Sequence, residues 1–144
     1  MRLTLALLAF VMPNIVLAAP HNSQLDEFSS YQEVKLKMND EVKNGCWTNL
    51  KEVREYAEEK IKMSGMTLNV DETQDYNFAI SANGGRGVTP ACHGTLIVGL
   101  YTRTLLPNGV VALVTIKETV HSLANTSFNN NVLDAVGKFF RKAE

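Results

Sequence analysis

Residues 92–118 read CHGTLIVGLYTRTLLPNGVVALVTIKE, and this stretch decides the fold. It predicts two long β-strands, because apolar side chains alternate on both sides of a turn at Leu105–Gly109. The Asn108-Gly109 pair between two apolar runs is typical of a β-hairpin, since both residues tolerate the positive φ that such a turn requires. Both faces of the hairpin are apolar. We therefore expect it in the middle of a sheet, covered by helices on one side and at least partly on the other.

The segments around the hairpin predict further strands and two helices. Strand patterns occur at residues 34–38, 66–70 and 76–80, and helix patterns at residues 50–62 and 132–142. The predicted order is strand-helix-strand-strand-strand-strand-helix. This order favours an α+β fold, with a mixed, mainly antiparallel sheet of about five strands and two helices on one face.

This element order resembles two small domains of bacterial envelope proteins. They are the domain at the N-terminus of the Tol–Pal β-propeller protein and the α+β core of the curli secretion lipoprotein. The resemblance lies in the run of helix, Gly65, short strand (residues 66–70) and turn (Asp71–Asp75), and it covers most of the chain after residue 18. It implies an envelope protein that binds other macromolecules.

Residues 1–18 are predicted to be a signal peptide. Arg2 provides the positive start, and Leu3 to Met12 form an apolar core of about ten residues. Val16-Leu17-Ala18 places small or medium residues where a signal peptidase reads, so we expect cleavage after Ala18. The alternative, an uncleaved membrane anchor, is disfavoured because Pro13 interrupts a run that would need about 20 apolar residues.

The rest of the chain is expected to be one domain in a secreted or periplasmic protein. Residues 19–30 are polar and predict a flexible N-terminal segment, followed by a single α+β domain over residues 31–144. The formal net charge of the full chain is −1 and no basic cluster is present. We therefore expect no nucleic-acid partner, and no stable membrane insertion after the signal peptide is removed.

Cys46 and Cys92 are the two cysteines of the chain. In an exported protein an even count predicts a disulfide, because the compartment is oxidising. A redox-active or metal-binding pair is the alternative, but C-x-x-C spacing is absent. Asn125-Thr126-Ser127 also fits a glycosylation sequon, which matters only on a eukaryotic secretory route.

Two features predict a binding surface. Residues 83–90 read as a glycine-rich loop, in which Gly84, Gly85, Arg86 and Gly87 could cradle an anion or contact a partner. A phosphate loop would open a helix, whereas this one leads into a strand. Trp47, the only tryptophan, either packs over the disulfide or contacts a partner from the start of the first helix.

Motifs for catalysis are absent from the sequence. It contains no G-x-S-x-G or S-x-x-K, and Glu118 is the one acid that we place at the end of a central strand. His93 and His121 are the metal candidates, but counting from the turn leaves them about three residues out of register. Two histidines alone make an incomplete zinc site, so we expect no metal and no cofactor.

The sequence therefore favours an exported, non-enzymatic binding module of the cell envelope, which meets a protein or another envelope component through a sheet edge or the 83–90 loop. The alternative is a small-ligand or metal-binding protein using Arg86, His93 and His121. A small hydrolase is a third hypothesis below both.

Overall fold

The computed structural model describes residues 28, 31, 33–71, 75–125 and 127–141. The expected signal peptide (residues 1–18) lies outside the described residues, as does the expected flexible segment (residues 19–30) except for Phe28. Thr126 of the sequon is also outside them. Within the described ranges, no helix is long and apolar enough to cross a membrane.

Among the described residues, five strands and two helices follow one another in the predicted order, which confirms the α+β fold. They are β1 (Glu33–Val42), α1 (Leu50–Met63), β2 (Thr67–Leu68), β3 (Tyr76–Arg86), β4 (Cys92–Leu105), β5 (Val111–Asn125) and α2 (Phe128–Phe139). The strand order across the sheet is β2-β1-β3-β4-β5. β1 runs parallel to β2 and β3, whereas β3, β4 and β5 pair antiparallel, so the sheet is mixed.

The hydrophobic core lies between the helices and one face of the sheet. Phe78 and Ile80 of β3 and Val98 and Leu100 of β4 alternate along their strands and are fully buried. The helices supply the other half of the core through Val53, Ala57 and Ile61 of α1 and Val132, Val136 and Phe139 of α2. Burying one such large side chain stabilises the fold by about 1.5–3 kcal/mol.

An aromatic cluster ties the chain before β1 to this core. Phe28 is only 2% exposed, and its ring centroid lies 5.9 Å from that of Phe139 and 5.7 Å from that of Phe140. Lys117 Nζ lies 5.0 Å from the centre of the Phe28 ring. The contact of this cation with the ring face holds Phe28 against β5.

The expectation that the whole hairpin lies mid-sheet is wrong for its second strand. β4 is interior, but β5 is the last strand of the sheet. By register, Val111, Leu113 and Val120 of β5 lie on the sheet face opposite the buried one, where they are 63%, 65% and 61% exposed. An apolar pattern on both faces does not distinguish a strand buried between layers from an edge strand with exposed aliphatic side chains.

The predicted 83–90 loop is also shorter than expected. Gly84, Gly85 and Arg86 belong to β3, where they pair with Gly94, His93 and Cys92 of β4, and the connection spans residues 87–91. Glycine is required at residue 84 because a Cβ there would clash with the His93 carbonyl group. This glycine therefore permits a close approach of two strands, rather than a flexible loop.

Candidate binding surface

β4 and β5 extend beyond the strand next to them. The last residue pair between β3 and β4 is Tyr76–Thr102, whereas β4 and β5 remain paired as far as Leu105–Val111. Residues 103–114 form the end of this two-stranded ribbon with its turn, and we call them the hairpin arm. The Arg103 N–H still donates to the Asp75 carbonyl oxygen at 2.9 Å, so residues 104–112 are the part that projects beyond the neighbouring chain.

The turn at the end of the hairpin arm satisfies several of its own backbone groups. The Leu106 N–H donates to the Val110 carbonyl oxygen (2.8 Å), and the Gly109 N–H donates to that of Leu106 (2.9 Å). The Val110 N–H donates to the Asn108 side-chain oxygen at 3.1 Å. Gly109 has a φ of +79°, which explains the glycine at this position.

Aliphatic side chains of the hairpin arm are exposed on both of its faces. Leu105, Val111 and Leu113 share one face by register, and Val114 lies on the other. The exposed fractions are 70% for Leu105, 38% for Leu106, 53% for Val110, 63% for Val111, 65% for Leu113 and 44% for Val114. Residues 104–116 contain no ionisable side chain. Several exposed aliphatic side chains close together on one hairpin are typical of an interaction site.

Tyr101, Gly99 and Glu118 form a fixed group at the base of the hairpin arm. Gly99 pairs with Glu118 across the strands, and the Tyr101 ring lies over Gly99, so that its hydroxyl donates to Glu118 Oε2 at 2.6 Å. Burial, together with the hydrogen bond and the charge of Glu118, raises the pKa of Tyr101 to about 12. Glu118 therefore lies within an edge strand and not at the end of a central one, and its carboxylate is engaged by Tyr101.

Two more tyrosines lie at the same level of the sheet. Tyr76 pairs with Thr102, where the hairpin arm leaves the sheet. Tyr31 packs edge-on against Tyr76, with ring centroids 5.2 Å apart. The aliphatic hairpin arm thus has a base that contains Tyr31, Tyr76 and Tyr101.

Cys46 and Cys92 are joined by a disulfide that links the β1–α1 connection to the start of β4. Trp47 is 5% exposed and belongs to the buried cluster that contains both cysteines. Its indole is therefore part of the core.

Arg86 lies in a cleft beside the disulfide, at the start of α2. In this cleft the Asn129 side chain links α2 to the β1–α1 connection. It accepts a hydrogen bond from the Thr48 N–H at 3.0 Å and donates one to the Thr48 hydroxyl at 2.8 Å. Gly87 lies in the exposed connection that follows β3. The structure thus separates the predicted binding residues, with Trp47 buried and Arg86 in a polar cleft.

The two histidines are not brought together. His93 pairs with Ala124 and His121 with Leu96, which leaves them three positions apart and on opposite faces of the sheet. His121 lies in a polar groove with Asp134 and Lys138, and its buried Nε2 has no hydrogen-bond partner among the described residues. The described ranges contain no group of three or more His, Cys, Asp or Glu residues that could hold a metal ion.

Comparison with known proteins assigns no family. No family profile matches the chain, and no curated protein sequence matches it. One similar solved structure is the 2.35 Å crystal structure of a minor lipoprotein from Acinetobacter baumannii. Its TM-score is 0.33 and its sequence identity is 10%, and the alignment covers 77% of this chain and 89% of that one. A similarity at this level does not transfer a function. The resemblance to the two envelope domains stays a prediction.

Proposed function

We propose that this chain is an exported, non-enzymatic binding module of the cell envelope, and that it meets its partner, a protein or another envelope component, through the hairpin arm. The observation that carries the proposal is the exposure of six aliphatic side chains around one projecting ribbon. Keeping so much apolar surface in water opposes solubility, whereas covering it on binding is favourable.

The small-ligand or metal-binding alternative has less support. It would require Arg86, His93 and His121 to converge, but the two histidines lie on opposite faces of the sheet.

A matched series of valine-to-aspartate variants tests the proposal. Val111 belongs to the hairpin arm, Val88 to the connection after β3, and Val70 follows β2; all three are more than half exposed. The exported, oxidised protein is mixed with the isolated cell envelope of the source organism, and the co-sedimenting fraction is measured. We expect Val111→Asp to lose binding, while Val70→Asp and Val88→Asp retain it and all three variants melt like the parent.

Two results would contradict the proposed function. One is a parent protein that does not associate with the envelope. The other is loss of binding in Val88→Asp with normal binding in Val111→Asp, which would move the surface to the connection after β3.

A further inference from the structure

The hairpin arm presents aliphatic side chains in more than one direction. Leu113 lies on one face, Val114 on the other, and Leu106 and Val110 at the turn, all of them more than a third exposed. A flat protein surface would cover one face and leave the other in water. A surrounding apolar medium would cover both faces and the turn together.

The end of the hairpin arm is suited to a medium with little water. Three N–H groups of its turn, those of Leu106, Gly109 and Val110, are bonded within the turn. Pro107 has no N–H to satisfy. Each unsatisfied backbone group costs several kcal/mol in a lipid hydrocarbon region, so these internal bonds lower the cost of moving the turn out of water.

Charged and aromatic residues flank the uncharged part of the hairpin arm. The uncharged segment 104–116 is bounded by Arg103 and Lys117. Tyr76 and Tyr101 lie at the base of the hairpin arm. Tyrosine favours the lipid–water interface, because its ring is apolar and its hydroxyl is hydrated.

The length of the hairpin arm limits how deeply it can enter an apolar medium. Beyond the hydrogen bond from Arg103 to Asp75, β4 continues for Thr104 and Leu105, which is about 7 Å at roughly 3.3 Å per residue. Interfacial segments enter the headgroup–acyl boundary by about 5–10 Å. Deeper entry is opposed by the outward-facing backbone groups of a two-stranded ribbon.

We propose that the hairpin arm is a reversible lipid anchor, which enters the headgroup–acyl boundary of a lipid surface with its aliphatic side chains and leaves the tyrosines at the interface. This inference rests on the proposed function and names the envelope component as lipid. The attraction comes from apolar burial, since residues 104–112, the part of the hairpin arm that enters the lipid, carry no charge. Binding therefore does not require anionic headgroups and changes little with salt.

Vesicles of pure phosphatidylcholine test this inference without any other protein. We expect the parent to bind, with a partition coefficient that changes less than about twofold between low and high salt. Val111→Asp should weaken partitioning by about tenfold or more, because a carboxylate replaces a side chain that the lipid buries. Val70→Asp, at a valine outside the hairpin arm that is even more exposed than Val111, should bind like the parent.

Fluorescence reports the insertion itself. The only native tryptophan, Trp47, is buried, so a Leu106→Trp variant should show a blue-shifted emission on vesicles and quenching by brominated lipid. Val70→Trp serves as the control and should show neither change.

Three outcomes would overturn the lipid anchor. Binding to the envelope without binding to vesicles would leave the proposed function intact but make the partner a protein. Binding only to anionic vesicles, and loss of it with salt, would assign the attraction to charge. Self-association of the parent that Val111→Asp abolishes, without vesicle binding, would make the occupant a second copy of the chain.

Discussion

Replacing Gly99 by alanine should break the contact between Tyr101 and Glu118. A Cβ on residue 99 would lie 2.5 Å from Cζ of Tyr101, so the ring must leave its position. Losing a hydrogen bond to a charged group costs about 1.5–3 kcal/mol, and the exposure of Glu118 places this cost at the lower end. Alanine gains about 0.5–1 kcal/mol over glycine within a strand. We expect Gly99→Ala to lower the free energy of unfolding by about 1 kcal/mol.

A second background separates the ring contact from the backbone effect. In Tyr101→Thr no ring covers residue 99, so Gly99→Ala should there raise the free energy of unfolding by about 0.5–1 kcal/mol. Urea unfolding at neutral pH of the parent, both single variants and the double variant gives the coupling energy. The same change in stability in both backgrounds would refute the proposed contact.

The pKa of Tyr101 provides an independent measure of the same contact. It is raised to about 12 by burial and by Glu118, and in Gly99→Ala it should fall toward the ordinary value near 10. Because the folded-state pKa is raised, the stability that the protonated phenol contributes is fully present below about pH 10 and is lost as the pH rises through 12. Absorbance titration of tyrosinate measures this, and an unchanged pKa in Gly99→Ala would contradict the account.

Other parts of the fold lead to three more predictions. Replacing both Cys46 and Cys92 by alanine should lower the free energy of unfolding by about 4 kcal/mol, because the disulfide joins residues 46 positions apart and so restricts the unfolded chain. Urea unfolding measures this, and a loss below about 1 kcal/mol would contradict the prediction. Gly94→Ala should cost about 3 kcal/mol, because its Cβ would overlap a carbonyl oxygen of β3, and a parent-like melting curve would show that the strands can separate at no cost. Lys138→Met should raise the pKa of Asp134, because the Lys138 hydrogen bond holds that pKa low. The stability that ionised Asp134 contributes is present above the pKa of the unfolded state and is lost as the pH falls through the pKa of the folded state. NMR titration of the Asp134 carboxyl group measures the pKa, and an unchanged pKa in Lys138→Met would contradict the role of the Lys138 hydrogen bond.

Local sequence signals predicted the elements well. Asn108-Gly109 between two alternating runs predicted the hairpin of β4 and β5, since turn chemistry and strand periodicity act over a few residues. The helix pattern at residues 50–62 likewise predicted α1, in which Val53, Ala57 and Ile61 form the buried face.

The order of strands in the sheet depends on long-range packing that periodicity does not encode. Val111, Leu113 and Val120 have the composition of a strand covered on both faces, yet no helix covers them among the described residues. Gly84 and Gly85 were predicted to lie in a loop, but they belong to β3 and pair with β4. Composition does not distinguish a flexible turn from the close approach of two paired backbones.

The candidate surface was missed because each of its residues suits a core strand. The signal that could have located it is a comparison of strand lengths. The strands around the turn reach Leu105 and start again at Val111, farther than the shorter strand at residues 76–86 can pair. The uncharged ends of the longer strands must then project into solvent or into a partner.

Hydrogen–deuterium exchange of the exported, oxidised protein, with and without the isolated cell envelope, tests the central claim most directly. If the hairpin arm is the binding surface, slower amide exchange on binding should be concentrated at residues 103–114, with residues 87–91 unchanged. Slower exchange at residues 87–91 and an unchanged hairpin arm would contradict the account.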